Sequence, residues 1–362
     1  MIDLSCDYND GAHPSVLEAL IETNMEKLPG YGADVHTERA ADLIRKACGL
    51  PAARVFFLSG GTQTNAIVIS AMLKSYEGAV CAATGHISLH EAGAIELTGH
   101  EVLPLPETEG KITAAALEKF LRDARADGNR DHMVFPGLVY ISFPTEYGTL
   151  YTKKELTALH NVCRSFDIPL FIDGARLGYG LGSEACDLGL PELARLCEVF
   201  YIGGTKAGAL CGEAVVFTQD NMPAHFMTMV KQRGGLLAKG RLMGVQFETL
   251  FESDLYFNIC SHADAMAMKM KRGLRALGIP LRINSPTNQQ FPVFEDSILP
   301  ELEGKLAWSF WEKPDETHTV ARLACNWATR PEDIDGLLDL LRDLRRNLNV
   351  FFNCKKQCYA DN

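Results

Sequence analysis

The chain has 362 residues, 47% hydrophobic and 22% charged, the balance of a soluble globular protein with room for one large core and a smaller second lobe. A formal charge of −11 argues against nucleic acid or an anionic membrane as partner, and no apolar run reaches the roughly 18 residues of a membrane span. The opening MIDLSCDYND has neither the basic region nor the apolar core of a secretory signal, so a cytoplasmic protein is expected.

Residues 1–13 lack helical spacing and read as an extended arm, which carries Cys6. Pro14 opens a helix expected to reach about Leu28, followed by the turn-rich PGYGADVHTE with Tyr31, Asp34 and His36. Thr37 is the expected cap of a helix Glu38–Cys48, whose Ala41, Ile44 and Cys48 recur at helical spacing, and a strand is expected at Arg54–Leu58. Ser59-Gly60-Gly61-Thr62-Gln63-Thr64-Asn65 joins that strand to an apolar helix through Leu73. Glycines at such a turn let backbone approach an anion, and the helix N-terminus offers free amides, so the turn is a candidate phosphate site. No P-loop is present, since Gly110-Lys111 lacks its earlier glycine. A dinucleotide oxidoreductase is disfavoured because Gly178–Gly182 ends on Ser183 where the fingerprint needs glycine.

Val80–Ala83 reads as a strand, and His86 follows it ahead of a helical segment, Ser88–Leu97. A histidine there suits stacking on an aromatic ring, or equally a helix cap. Strand 101–105, helix 113–126, strand 138–143 and helix 153–166 continue the alternation, which means a largely parallel sheet with helices on both faces. After two further strands come Glu213–Thr218, a basic link at 231–241 and a long helix at 242–277. Short strands at 280–284, 290–295, 306–311 and 318–325 and a helix after Pro331 then indicate an α+β lobe. The expected division is an arm of 1–13, a large α/β domain of 14–241 and a small α+β domain of 242–362. The eleven cysteines are scattered without paired CxxC motifs and read as free thiols, including Cys354 and Cys358 one helical turn apart; no metal site is expected.

The two strands passed over carry the chemistry. Leu170-Phe171-Ile172 runs into Asp173-Gly174-Ala175-Arg176, and Val199-Phe200-Tyr201-Ile202 runs into Gly203-Gly204-Thr205-Lys206. Strand ends are where open α/β sheets bind ligands. An acid, an arginine and a lysine at one rim suit pyridoxal phosphate, which needs an amine for its aldehyde, a carboxylate for its ring nitrogen and donors for its phosphate.

The segments SGGTQTN, TGHISLHEAGA, FIDGAR and GGTK, in that order, resemble those of fold-type I pyridoxal phosphate enzymes, and more narrowly of the threonine aldolase and β-eliminating lyase family. The similarity extends from MIDL to ARLACNWATRPEDID. It implies that Lys206 carries the cofactor, that Asp173 pairs with its ring nitrogen and that His86 stacks on the ring. Gly60, Gly61 and Thr62 would hold phosphate, with Thr205, Arg176 and Lys239 as further cofactor contacts. Arg176 and Arg322 would bind the substrate carboxylate, with Cys6 and Tyr31 also on the substrate side. The implied activity is cleavage of a β-hydroxy-α-amino acid to glycine and an aldehyde, in a homodimer or homotetramer. β-Elimination, transamination and a non-catalytic carrier remain the alternatives.

Three departures from the family pattern stand out. Cys6 replaces an arm serine, and Gly234-Gly235-Leu236-Leu237-Ala238-Lys239 replaces GGGMRQ, which leaves Lys239 or Arg241 to substitute for an arginine that reaches a neighbouring subunit's phosphate. Phe143-Pro144-Thr145-Glu146-Tyr147 replaces ENTHN, which removes an active-site histidine. His86, His36 and Glu146 are the candidates for the missing base, His36 or Glu146 being expected to take the role, directly or through water, with Phe143 and Tyr147 making room for, or packing on, a larger β-substituent.

Overall fold

The computed structural model describes residues 1–358, with side chains described through Arg346; the tail thiols Cys354 and Cys358 lie outside the described side chains. The chain divides into a larger unit, Gly11–Ser261, and a second unit made of Met1–Asp10 with the residues from His262 onward. Residue 241, the expected boundary, begins a helix Arg241–Glu252 inside the larger unit, and the division falls within the helix Leu255–Ala276.

Strand β1 is Ile2–Asp3, in the arm. The larger unit holds β2 (Arg54–Leu58), β3 (Glu77–Ala82), β4 (Val102–Leu105), β5 (Phe135–Ser142), β6 (Leu170–Asp173), β7 (Val199–Gly203) and β8 (Glu213–Phe217). They form one sheet in the order β2-β8-β7-β6-β5-β3-β4. Pairing is parallel from β7 through β6, β5 and β3 to β4, while β8 is antiparallel to both β7 and β2. Reversing twice brings β2 into the same direction as β7, so the C-terminal ends of β2, β3, β5, β6 and β7 share one rim. β6, β7 and β8 are buried throughout, as strands covered on both faces must be. Tyr140, Phe171 and Tyr201 form an aromatic row across β5, β6 and β7, with ring centroids 5.6 and 6.2 Å apart.

Four expected helices differ in their bounds, each for a local reason. The helix Pro14–Glu22 stops before Leu28: Thr23 is its C-cap, and beyond it the backbone bonds tighten to Asn24 N to Ile21 O and Glu26 N to Thr23 O. The next helix is Val35–Cys48 and its cap is Asp34, whose carboxylate accepts from the Thr37 amide at 2.9 Å and hydroxyl at 2.8 Å. Thr37, expected as the cap, is the residue being capped. The segment 88–97 is a short helix His86–Leu89 and a 3₁₀ turn Glu96–Thr98, interrupted by the left-handed Ala92 and Gly93 (φ 52° and 74°). The long helix expected at 242–277 is two, Arg241–Glu252 and Leu255–Ala276, broken where Asp254 has φ 55°.

In the second unit β9 (Gln289–Gln290), β10 (Val293–Glu295), β11 (Leu306–Ala307), β12 (Ser309–Glu312) and β13 (His318–Ala324) are followed by the helix Pro331–Cys358. β13 pairs antiparallel with β10, β12 and β9, and β1 adds parallel to β11. The strand expected at 280–284 is reduced to a single bridge, Leu281 to Pro292. Among the described residues no helix is long and apolar enough to cross a membrane.

Candidate active site

Asp173 ends β6, and it is only 5% exposed. Its Oδ1 accepts from the Tyr201 hydroxyl at 2.6 Å and the Ala175 amide at 2.9 Å, and its Oδ2 from the Tyr140 hydroxyl at 2.5 Å and Asn65 Nδ2 at 3.0 Å. Burial alone would raise the carboxyl's pKa, but His86 nearby and the donors from Tyr140, Tyr201 and Ala175 outweigh it and hold the group below the ordinary value. Burial, and then Asp173 itself, push both tyrosine hydroxyls well up, so they remain donors. The result is an ionised carboxylate in an apolar sheet, the form needed to keep a heteroaromatic nitrogen protonated.

Lys206 follows β7 by three residues. Its turn is closed by Gly204 and Thr205 amides donating to the Gly212 carbonyl at 2.9 and 3.2 Å, and the Tyr179 hydroxyl donates to the Lys206 carbonyl. The turns that carry Asp173 and Lys206 touch because two glycines permit it. A Cβ on Gly174 would lie 1.8 Å from the Tyr201 carbonyl oxygen and one on Gly203 would lie 2.4 Å from that of Ala175. Thr205 Oγ1 accepts from the Gly212 amide at 3.0 Å and donates to Glu213 Oε1 at 2.8 Å. Burial lifts the Glu213 carboxyl to about 8, against the opposing effects of Thr205 and Lys206. Glu213 was not singled out in the sequence, where it reads as the first residue of a strand.

Gly60 caps the helix Gly61–Met72 with no side chain over the first-turn amides, and the helical ladder begins with Thr64 N to Gly60 O at 2.9 Å. A Cβ on Gly60 would meet nothing within 4 Å, whereas one on Gly61 would lie 3.2 Å from the Tyr201 hydroxyl. The anion-ready turn therefore adjoins the tyrosine that holds Asp173, and Thr62 is exposed beside it. An open cradle of amides, an ionised buried carboxylate and a lysine on contacting turns fit pyridoxal phosphate.

His86 begins the turn after β3. Its Nδ1 lies 2.9 Å from Glu91 Oε1, which also accepts from Asn65 Nδ2 at 2.8 Å, and its backbone amide donates to Glu146 Oε1 at 2.9 Å. Glu146 Oε1 also accepts from the Ser142 hydroxyl at 2.5 Å, and burial raises that carboxyl's pKa. The chain Asp173, Asn65, Glu91, His86 thus links two expected cofactor residues through two that sequence reasoning gave no role.

Arg176 is half-buried three residues beyond Asp173. Tyr31 is exposed, with Lys231 Nζ 4.7 Å from its ring centroid, and borders a cavity of about 240 Å³ with Ser59, Leu236 and Met243. Lys239 is exposed in the turn before Arg241. Arg241, its expected alternate, is spent on the Asn24 and Glu26 carbonyls at 2.7 Å each. His36 is equally committed: its Nδ1 lies 2.5 Å from Glu248 Oε2 and its Nε2 2.9 Å from Glu26 Oε2. Cys6 and Arg322 belong to the second unit, where the Ser5 carbonyl accepts from Arg322 Nη2 at 3.1 Å and from the Ser309 hydroxyl at 2.5 Å.

Residues 3–297 match the beta-eliminating lyase family. The chain is 29% identical over 343 residues to a low specificity L-threonine aldolase of Pseudomonas aeruginosa, covering 94% of this chain and 96% of that one. The solved structure of a threonine aldolase from Leishmania major superposes with a TM-score of 0.91 at 41% identity, over 96% of this chain and 99% of that one. An aspartate aminotransferase of Thermus thermophilus shares the fold, with a TM-score of 0.69 at 16% identity over 95% of this chain and 91% of that one.

Proposed function

The chain belongs to the beta-eliminating lyase family, and from that premise we propose that it is a pyridoxal phosphate-dependent aldehyde-lyase that cleaves β-hydroxy-α-amino acids of the threonine type to glycine and an aldehyde. The observation that carries this reading is Asp173, kept ionised inside the sheet by donors from β5, β7 and the helix Gly61–Met72, with the Lys206 turn in contact. The extensive likeness to threonine aldolases supports the choice of reaction.

When bound, the cofactor draws electrons from the substrate Cα through its protonated ring. Asp173 holds the proton on the ring nitrogen, Lys206 supplies the amine, and the amides of the Gly60–Thr62 turn receive the phosphate. Thr205, through Glu213 and Gly212, fixes the turn from which Lys206 projects. Arg176 offers a planar fork for the substrate carboxylate, and the same role for Arg322 rests on family resemblance. Substrate-side roles for Cys6 and Tyr31, and a phosphate role for Lys239, have that same basis. Cleavage needs a proton removed from the β-hydroxyl by a group within hydrogen-bond reach. With His36 committed elsewhere, His86 and Glu146 hold that role between them. Burial raises the Glu146 carboxyl above its ordinary value, so it holds a proton more readily than an exposed carboxylate does.

We also propose a homo-oligomer, in which the exposed Leu17 and Ile21 of the helix Pro14–Glu22, with Met25 beyond it, are covered by a second copy. The nine described cysteines are free thiols, as suits a reducing compartment, and we place the enzyme in the cytoplasm. Product analysis of the purified holoenzyme with L-threonine, L-allo-threonine and phenylserine tests the reaction. We expect glycine with acetaldehyde or benzaldehyde. Ammonia with a keto acid would establish β-elimination instead, and no turnover of any of the three would overturn the aldolase reading and leave transamination, which needs a keto-acid acceptor, or a carrier.

A further inference from the structure

Glu91 is buried, its side chain fully shielded from solvent, yet the family reading gives it no task. A buried carboxylate is costly unless its oxygens are bonded. Here Oε1 is bonded twice, by Asn65 Nδ2 at 2.8 Å and His86 Nδ1 at 2.9 Å, while Oε2 has no partner. Asn65 is completely buried and donates both amide hydrogens to carboxylates, Glu91 on one side and Asp173, at 3.0 Å, on the other. Two acceptor-only partners settle which amide atom is the nitrogen. Its Oδ1 is left unbonded, a sign that the residue is retained for the bridge rather than for its own satisfaction.

We propose that Glu91 and Asn65 are positioning residues: Asn65 braces Asp173 and Glu91 against one another, and Glu91 holds the His86 ring with its proton on Nδ1, which leaves Nε2 as the edge that accepts a proton. A carboxylate only accepts, so the imidazole nitrogen 2.9 Å from it is the donor, and in neutral imidazole the other nitrogen is then the acceptor. The His86 side chain is 32% exposed while Glu91 is sealed, so the ring is anchored at its inner edge and open at its outer one. The backbone adds a second hold, since the His86 amide donates to Glu146 Oε1. Glu91, Glu146 and Asp173 are charged or titratable groups near this ring, as is the neighbouring His90, whose ring centroid is 5.6 Å away. Carboxylates that fix a histidine's tautomer and orientation recur wherever an imidazole must present one chosen nitrogen.

The catalytic consequence rests on the aldolase reading; the tautomer does not. ¹⁵N spectra of the histidine ring in the cofactor-free protein, assigned with His86→Gln, read the tautomer directly. We expect wild-type His86 protonated on Nδ1 and not on Nε2 at mildly alkaline pH. The Nε2-protonated form in the wild type would overturn the proposal whatever the enzyme turns over. Glu91→Leu removes the acceptor and is expected to give mixed tautomers, with kcat on the best substrate down about 10- to 100-fold and KM little changed. Glu91→Gln keeps an acceptor oxygen and is expected to recover both the tautomer and much of kcat. Equal losses in the two variants, or a wild-type tautomer in Glu91→Leu, would show that Glu91 only fills space. Absence of any substrate for the wild type would sink the aldolase reading and leave the spectroscopic result standing.

Discussion

His36 is clamped between Glu26 and Glu248, and its proton balance makes a residue-scale test. Burial lowers its pKa, but the hydrogen bonds and charges of the two carboxylates outweigh burial and leave it above the ordinary 6.5. A histidine whose folded value is raised adds stability fully below its unfolded value and loses that contribution as pH climbs through the folded one. We therefore expect His36→Ala to lower the melting temperature by a few degrees more at pH 6 than at pH 9. Equal losses at the two pH values would show that the clamp is not charged. The sequence placed His36 in a polar loop near the rim and gave no hint of Glu248, 212 residues away. Asp173 was legible from its strand-end motif, yet its donors were not. Tyr140 and Tyr201 sit inside apolar runs where an aromatic reads as core, and only strand pairing aims their hydroxyls at one carboxylate.

At the scale of elements, the candidate site depends on turns that leave strands at one rim, and glycine decides how near those turns come. A Cβ on Gly61 would press to 3.2 Å on the Tyr201 hydroxyl, which cannot yield without loosening its 2.6 Å bond to Asp173. Gly61→Ala is expected to weaken pyridoxal phosphate binding about tenfold, roughly 1.4 kcal/mol, as read by titration of the cofactor-free protein. An unchanged dissociation constant would show that the helix Gly61–Met72 lies off the cofactor. Strands were readable because burial on both faces makes them short continuous apolar runs, and the helices between them because one apolar face recurs at helical spacing. The breaks were harder. Ala92 takes a left-handed backbone that its residue type does not announce, and Gly93 and Asp254, types that tolerate it, are weak signals inside otherwise helical runs, so the sequence does not show the breaks in 88–97 and 242–277. β8 was expected as a strand, but its antiparallel direction follows from the tight Lys206 turn and is invisible to hydrophobic pattern.

For the whole molecule, the alternation of strands and helices foretold a mostly parallel sheet, and the bunched short strands foretold the second unit's sheet. What pattern could not show is that residues 1–10 group with that second unit, because β1 finds its partner β11 some three hundred residues on. Assembly is a property of the same scale. Leu17, Ile21 and Met25 are 41, 75 and 85% exposed, an apolar stripe that an isolated subunit would present to water. Light scattering on the purified protein is expected to give at least twice the 39.8 kDa chain mass. A monomer with full activity would contradict the proposed assembly. The most direct test of the site itself is borohydride reduction of the holoenzyme followed by peptide mass spectrometry. We expect loss of the visible cofactor absorption and one reduced pyridoxyl adduct, on Lys206; an adduct on any other lysine would contradict the assignment of the Asp173 and Lys206 rim as the cofactor site.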